Sequence, residues 1–186
     1  MHDQSFRLRE LLLPFVLTAA IIVADQITKA VILTFVEPIE TTGHVINVIG
    51  DFLRIIRTQN VGVAFSLGQR LSDSVRRILF IVLPLSVLTG LVVYYFRTRE
   101  FTAFQRWAIA GIVGGGLGNQ IDRIFRSAGV VDWIDIKFYG ILGMQRFPTF
   151  NVADSSITVC SILLLVSVFV QERHKVTTPQ SEESHE

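Results

Sequence analysis

GNQIDRIFRSAGVVDWIDIKFYGILGMQRFPTFNVAD, running from Gly118 to Asp154, joins the end of one apolar segment to the start of the next. It carries Asn119, Asp122, Arg123, Asp132, Asp135, Asn151 and Asp154. A chain that had only to span and pack would not need acids set against both hydrophobic segments. Carboxylates close to hydrocarbon are costly, so by default they mark functional positions. Asp132 and Asp154 are therefore read as a candidate catalytic pair at a membrane surface.

Outward from that stretch, the composition is that of a small polytopic membrane protein. Half of the 186 residues are hydrophobic, and the mean hydropathy is +0.49, too apolar for a soluble domain of this size. A net charge of +1 gives no electrostatic case for nucleic acid. His2, His44, His174 and His185 have no zinc-ligand spacing, and Cys160 is a lone cysteine in an apolar run. No metal and no cofactor are expected, and Cys160 reads as a small packing residue.

The apolar runs place four transmembrane helices at about 11–36, 78–96, 104–122 and 150–170. The first has a signal-peptide-like opening but continues past Asp25 and Lys29, so it reads as a retained helix. Asp25 and Lys29 share a helix face and can neutralise each other, either as a structural ion pair or as support for a site. In the third run, Gly111/Gly115 and Gly114/Gly118 have the spacing that lets helix backbones approach closely. Residues 37–74 are rich in β-branched and aromatic residues with no helical period, which predicts a small sheet outside the hydrocarbon, lying on the membrane. Asn60, beside Gly62, either shapes a turn or presents its amide to a substrate. The tail 176–186 reads as disordered, leaving residues 1–175 as a single membrane-embedded domain. Basic residues in the short flanks lean towards cytoplasmic termini.

Short connection makes the third and fourth helices antiparallel neighbours, so the end of one lies beside the start of the other. Asp154 then sits about one turn inside the fourth helix, and Asp132 lies in the connecting loop, able to fold back over both ends. Two carboxylates held together share a proton and can act as base and acid in one cycle, which is what hydrolysis by an activated water requires. Against this stand blander roles: a neutralised helix end at Asp122–Arg123, solvated loop acids at Asp132 and Asp135, and a dipole-favoured acid at Asp154. A proton-coupled transporter would want acids near mid-membrane, whereas these crowd one end. A non-catalytic assembly factor packed through the glycine-rich helix is the other rival. The Gly-x-Gly-Asp of other intramembrane aspartic proteases is absent.

Five separated blocks resemble the bacterial lipoprotein signal peptidases, the type II signal peptidases. Asp25-Gln-Ile-Thr-Lys29 resembles D-x-x-[ST]-K, and Asn60-Val-Gly-Val-Ala-Phe65 resembles N-x-G-x-A-F. Gly118-Asn-Gln-Ile-Asp-Arg123 is similar to G-N-x-x-D-R, Val130-Val-Asp132-Trp to V-V-D-F, and Phe150-Asn-Val-Ala-Asp154 to F-N-x-A-D. The resemblance covers about Leu11 to Val170 and implies a catalytic dyad of Asp132 and Asp154. It implies substrate binding by Asn60, Asn119 and Arg123, and support from Asp25, Lys29, Asp122 and Asn151. It also implies an all-α polytopic fold with four transmembrane helices, a β-cradle within 37–74 and a short periplasmic loop helix within Lys137–Phe147. The implied enzyme is a monomeric inner-membrane aspartic endopeptidase with both termini cytoplasmic and its site near the outer leaflet. It would cut diacylglyceryl-modified prolipoproteins before the lipidated cysteine, among membrane lipids and without nucleic acid.

Overall fold

The computed structural model of the chain describes residues 8–60 and 72–177. The sequence block that follows Asn60 and the tail beyond 177 lie outside the described residues. Among those described, three helices are long and apolar enough to cross a membrane: Leu8–Phe35, Ser74–Arg97 and Val152–Arg173. They contain α1 (Phe15–Phe35), α2 (Leu83–Arg97) and most of α4 (Val152–Thr177). Their outward faces carry exposed apolar side chains such as Val16, Val87 and Phe169. That is the surface expected of helices facing hydrocarbon rather than water.

The glycine-rich run folds as α3 (Ala103–Phe125), which is as long as the others but less apolar. Its position explains the difference. It touches α1, α2 and α4, and its buried face includes Gln105, Asn119, Gln120 and Asp122. A helix whose neighbours are protein can carry polar groups that lipid-facing helices cannot. Its start is fixed by a capping box: Thr102 Oγ accepts from the Gln105 N–H while Gln105 Oε1 accepts from the Thr102 N–H. The glycine spacing does what the sequence suggested. Gly111 and Gly115 meet α4, while Gly114 and Gly118 meet α1. A methyl group on Gly115 would run into the carbonyl oxygen of Ala153 at the start of α4.

Pro84 lies just inside α2, preceded by a helical turn at Asp73–Arg77 and a π-helical stretch at Ile78–Val82. Proline has no N–H to give the carbonyl four residues back, which is that of Phe80. Gln120 of α3 supplies the missing donor, with Nε2 3.2 Å from Phe80 O. This is how a proline is accommodated between packed membrane helices.

The small sheet exists, but its boundaries differ from those expected within 37–74. Strands β1 (Ile46–Ile49) and β2 (Leu53–Asn60) come from that region, and β3 (Val130–Ile136) comes from the α3–α4 connection. The order is β1-β2-β3, all antiparallel, with Thr58 opposite Asp132 and Asn60 opposite Val130. Asp132 is therefore on a strand and not in a loop. The reason is local: Val130-Val-Asp-Trp-Ile-Asp-Ile is dense in β-branched residues and pairs with a partner already extended. The sheet is tied to the helices by Arg57, whose Nη1 lies 3.3 Å from both Leu33 O and Val36 O at the end of α1. A guanidinium there meets helix carbonyls that have no internal partner.

The expected loop helix within Lys137–Phe147 is reduced to one 3-10 turn at Ile141–Gly143. Gly140 and Gly143 hold positive φ on either side of Leu142, itself at φ 53, so no helix can propagate. The loop's base is closed instead by pairing of Lys137 with Arg146.

Candidate active site

Asp132 and Asp154 arrive from different elements and are connected through two asparagines. Asn151 stands immediately before α4 and caps it: its Oδ1 accepts the Asp154 N–H at 2.9 Å, and Asp154 Oδ2 accepts the Asn151 N–H at 3.3 Å. This reciprocal cap leaves the Asn151 amide nitrogen free to turn towards β3. It donates to Asp132 Oδ1 at 2.7 Å, with Asn119 Oδ1 at 3.1 Å and Val131 O at 3.3 Å also in reach. Asn119, on α3, donates from Nδ2 to Asp154 Oδ1 at 2.7 Å. Each candidate carboxylate thus holds an amide N–H from one asparagine, and the two asparagines hold each other.

A layer of buried charge lies behind this quartet. Lys29 Nζ is 2.7 Å from Asp25 Oδ2, 2.8 Å from Asp122 Oδ2 and 3.0 Å from Asn119 Oδ1, and all three charged side chains are fully buried. An ammonium has three protons, and three acceptors use them. Because Lys29 can only donate, the Asn119 carbonyl must face it, and the Asn119 amino group is turned towards Asp154. The two acids also hold the backbone beside the candidate pair, Asp122 through the oxygen that faces Lys29 and Asp25 through its other one. Asp122 Oδ2 accepts the N–H of Val131, next to Asp132, and Asp25 Oδ1 accepts the N–H of Ala153, next to Asp154. A buried lysine shared by two carboxylates therefore fixes the backbone at both positions.

The electrostatics follow from this burial. Asp132 is almost inaccessible, and its carboxyl pKa is raised from 3.8 to about 7, first by burial and next by the charge of Asp154; its bond from Asn151 pulls the other way. Arg123, near the end of α3, lies within the fields of Asp154, Asp132 and Asp122. Its Nε is buried with no hydrogen-bond partner among the described residues. Asn60 ends β2 opposite Val130, two positions along β3 from Asp132. Among the described residues no group of three or more histidine, cysteine or acidic side chains could hold a metal ion. The two carboxylates are close enough for the charge of Asp154 to raise the pKa of Asp132.

Asp25, Lys29, Asn119, Asp122, Asp132, Asn151 and Asp154 are brought into one network, with Arg123 and Asn60 at its edge. Two members were not foreseen. Gln26 Nε2 is 3.1 Å from Asp25 Oδ2, from Gly118 O and from Asp122 Oδ1. Arg126 Nη1 is 2.7 Å from Asp122 Oδ1. The signal for Arg126 was its position one helical turn beyond Asp122. Asp135, which had no expected role, accepts from Arg54 and Arg146 at 2.6–2.7 Å and is buried, so it clamps β2, β3 and the following loop together. Trp133 packs on Ile32, Val36 and Val131, with its indole N–H buried and unpartnered among the described residues.

The same architecture occurs in two solved bacterial membrane enzymes. One has a TM-score of 0.71 and 29% identity, covering 93% of this chain and 94% of that one. The other has a TM-score of 0.70 and 31% identity, covering 83% and 91%. The lipoprotein signal peptidase of Treponema denticola is 50% identical over 159 residues, 86% of this chain and 90% of that protein. The lipoprotein signal peptidase of Treponema pallidum is 42% identical over 176 residues, 95% and 93% of the two chains. That of Borreliella burgdorferi is 39% identical over 160 residues, 86% and 91%. The family model described as signal peptidase (SPase) II matches residues 17–170, which span every buried polar residue of the network, and the chain belongs to that family of proteases.

Proposed function

We propose that Asp132 and Asp154 are the catalytic dyad with which this signal peptidase removes signal peptides from prolipoproteins. The observation that carries the reading is the pair of linked asparagines, each giving one amide N–H to one of the two carboxylates. The pair shares one proton, held at rest by the more buried Asp132. The ionised partner takes a proton from water as the oxygen attacks the scissile carbonyl. The protonated partner stabilises the developing oxyanion and passes its proton to the leaving amine. Asn119 and Asn151 keep the carboxylates in register and add no charge of their own. Arg123 and Asn60, at the edge of the network, bind backbone carbonyls of the peptide. Asp25, Lys29 and Asp122 hold the backbone beside each catalytic residue.

The substrate is the diacylglyceryl-modified precursor, cut before its lipidated cysteine, with the acyl chains lying among the exposed apolar faces of the helices. The chain works as a monomer in the bacterial inner membrane, with α3 as a fourth span, both termini in the cytoplasm and the dyad near the outer leaflet. The exposed apolar faces of the three outer helices and the buried polar α3 support that placement. In the test, purified protein is incubated with a diacylglycerylated prolipoprotein and release of the signal peptide is followed. Asp132→Asn and Asp154→Asn should each lower kcat by roughly a thousandfold or more while the thermal melt persists. Full activity in either variant overturns the assignment.

A further inference from the structure

Arg126 stands at the end of α3, three residues beyond the Gly118–Arg123 block, so the resemblance to the signal peptidases gives it no role. Its side chain nevertheless turns back into the bundle. Nη1 donates to Asp122 Oδ1 at 2.7 Å, and Nη2 lies 3.4 Å from Gln26 Oε1 on α1. The Arg126 backbone N–H donates to the Asp122 carbonyl at 2.7 Å, and the Arg126 carbonyl accepts the Gly129 N–H at 3.1 Å, closing the turn that leads into β3. The guanidinium side chain is 24% exposed, whereas its carboxylate partner is fully buried. An exposed ion pair at a helix end contributes little. A buried carboxylate that loses its partner is different, because it keeps a charge that water cannot reach.

Asp122 divides its two oxygens between two tasks. Oδ1 takes the Arg126 guanidinium and the Gln26 amide. Oδ2 takes Lys29 at 2.8 Å and the Val131 N–H at 3.2 Å, one residue before Asp132. A carboxylate is planar and rigid, so a cation that fixes one oxygen also fixes the direction of the other. The balance of charge leads to the same residue. Asp25 and Asp122 both face the single ammonium of Lys29, and Arg126 is the cation bonded to the surplus carboxylate oxygen. We propose that Arg126 is a positioning residue for the cleavage reaction: by holding and neutralising Asp122 it sets the place of β3 and the charge behind Asp132. The inference rests on Asp132 and Asp154 being the dyad. Arg126 acts through Asp122 and takes no part in the chemistry. The described charged groups around Asp132 are Asp25 and Lys29 from α1, Asp122, Arg123 and Arg126 from α3, and Asp154 from α4. Across the sheet, Thr58 opposite Asp132 is bonded to Glu40 at 2.6 Å.

The test is a pH profile of kcat and KM for release of the signal peptide from a diacylglycerylated prolipoprotein by the full chain. Arg126→Gln leaves the buried acids with one cation fewer, and added negative charge nearby favours the protonated form of Asp132. The alkaline limb should therefore rise by about half a pH unit or more above that of the wild type. The same variant should lose roughly tenfold or more in kcat, with KM within about twofold of the wild type. Arg126→Lys keeps the charge and should restore the limb and most of kcat. A residue that served only to end α3 would lower the melt and the rate and leave the limb in place. A limb unmoved in the glutamine variant overturns the proposal, as does a limb displaced in the lysine variant. A loss confined to KM also overturns it, by placing Arg126 against the substrate. If the glutamine variant fails to fold, Arg126→Ala is purified and assayed with added guanidinium ion, which can enter because the site is part-exposed. Rate and limb should return together, and no return overturns the proposal. Full activity in Asp132→Asn or Asp154→Asn sinks the dyad reading and this one with it, whereas a limb that is present but unmoved sinks the Arg126 assignment alone.

Discussion

Asp132 holds its proton in conditions where an ordinary carboxylic acid has lost it, because burial and the neighbouring Asp154 charge both disfavour its anion. The consequence has a definite sign. If the pair is the proposed dyad and works with one proton, activity should persist while Asp132 is protonated and fall as the pH rises through about 7. A pH profile of kcat/KM on a lipidated substrate should show an alkaline limb near that value; a flat profile to pH of about 9 would mean that Asp132 is not the acid. At this scale the sequence singled out acids that the structure gathers into one network, because acids beside apolar runs are rare. It paired Asp25 with Lys29 and Asp132 with Asp154 but was silent on what links the two pairs. That Lys29 serves Asp25, Asp122 and Asn119 together depends on three helices meeting, and nothing in the local pattern of Asp25–Lys29 distinguishes a surface pair from this one. Asp135 shows the same limit: its two arginine partners, Arg54 and Arg146, are separated from one another by about half of the chain.

Among the elements, α3 is the one on which the others are built. Its glycines were legible as close-packing positions because small residues at a spacing of four form one face. The structure adds what each face meets. Gly115 lies against the Ala153 carbonyl, one residue from Asp154. Gly115→Ala would therefore push the start of α4 away and carry the Asp154 carboxylate with it. Expected results are a loss of roughly 1–3 kcal/mol in stability and a fall of about a hundredfold in kcat, since an ångström of misplacement has that effect. Gly90→Ala is the control: nothing lies within 4 Å of its added methyl, so melt and rate should be unchanged. Strand β3 was the element missed. Its acids drew it towards a loop reading, whereas its β-branched residues and its pairing with β2 decide the outcome. The loop helix failed for the opposite reason. Two glycines at positive φ break any run before a turn can be repeated.

For the whole molecule, three apolar helices enclose one polar helix, with a sheet closing one end. Three of the four expected spans answer to helices long and apolar enough to cross a membrane; α3, at the fourth, carries a polar face hidden by its neighbours. The proposed topology can be checked by labelling intact cells with a membrane-impermeant maleimide in a Cys160→Ala background. Leu142→Cys, on the loop beside the sheet, should react from outside, and Thr98→Cys, at the far end of α2, only after the cells are opened. The same tertiary order has a bearing on biosynthesis. Asp25 belongs to the first helix made, yet the Ala153 N–H that it accepts belongs to the last. Until α4 arrives, that carboxylate waits in the bilayer with Lys29 one turn away as its only local counter-charge. A lone acid at the centre of an inserting helix costs roughly 2.5–3.5 kcal/mol, so the i,i+4 lysine eases insertion long before it organises a site. Since Asn151 and Asp154 enter with the final helix, the proposed dyad cannot assemble until that helix has docked. On that assignment the protease is inert for as long as it is incomplete.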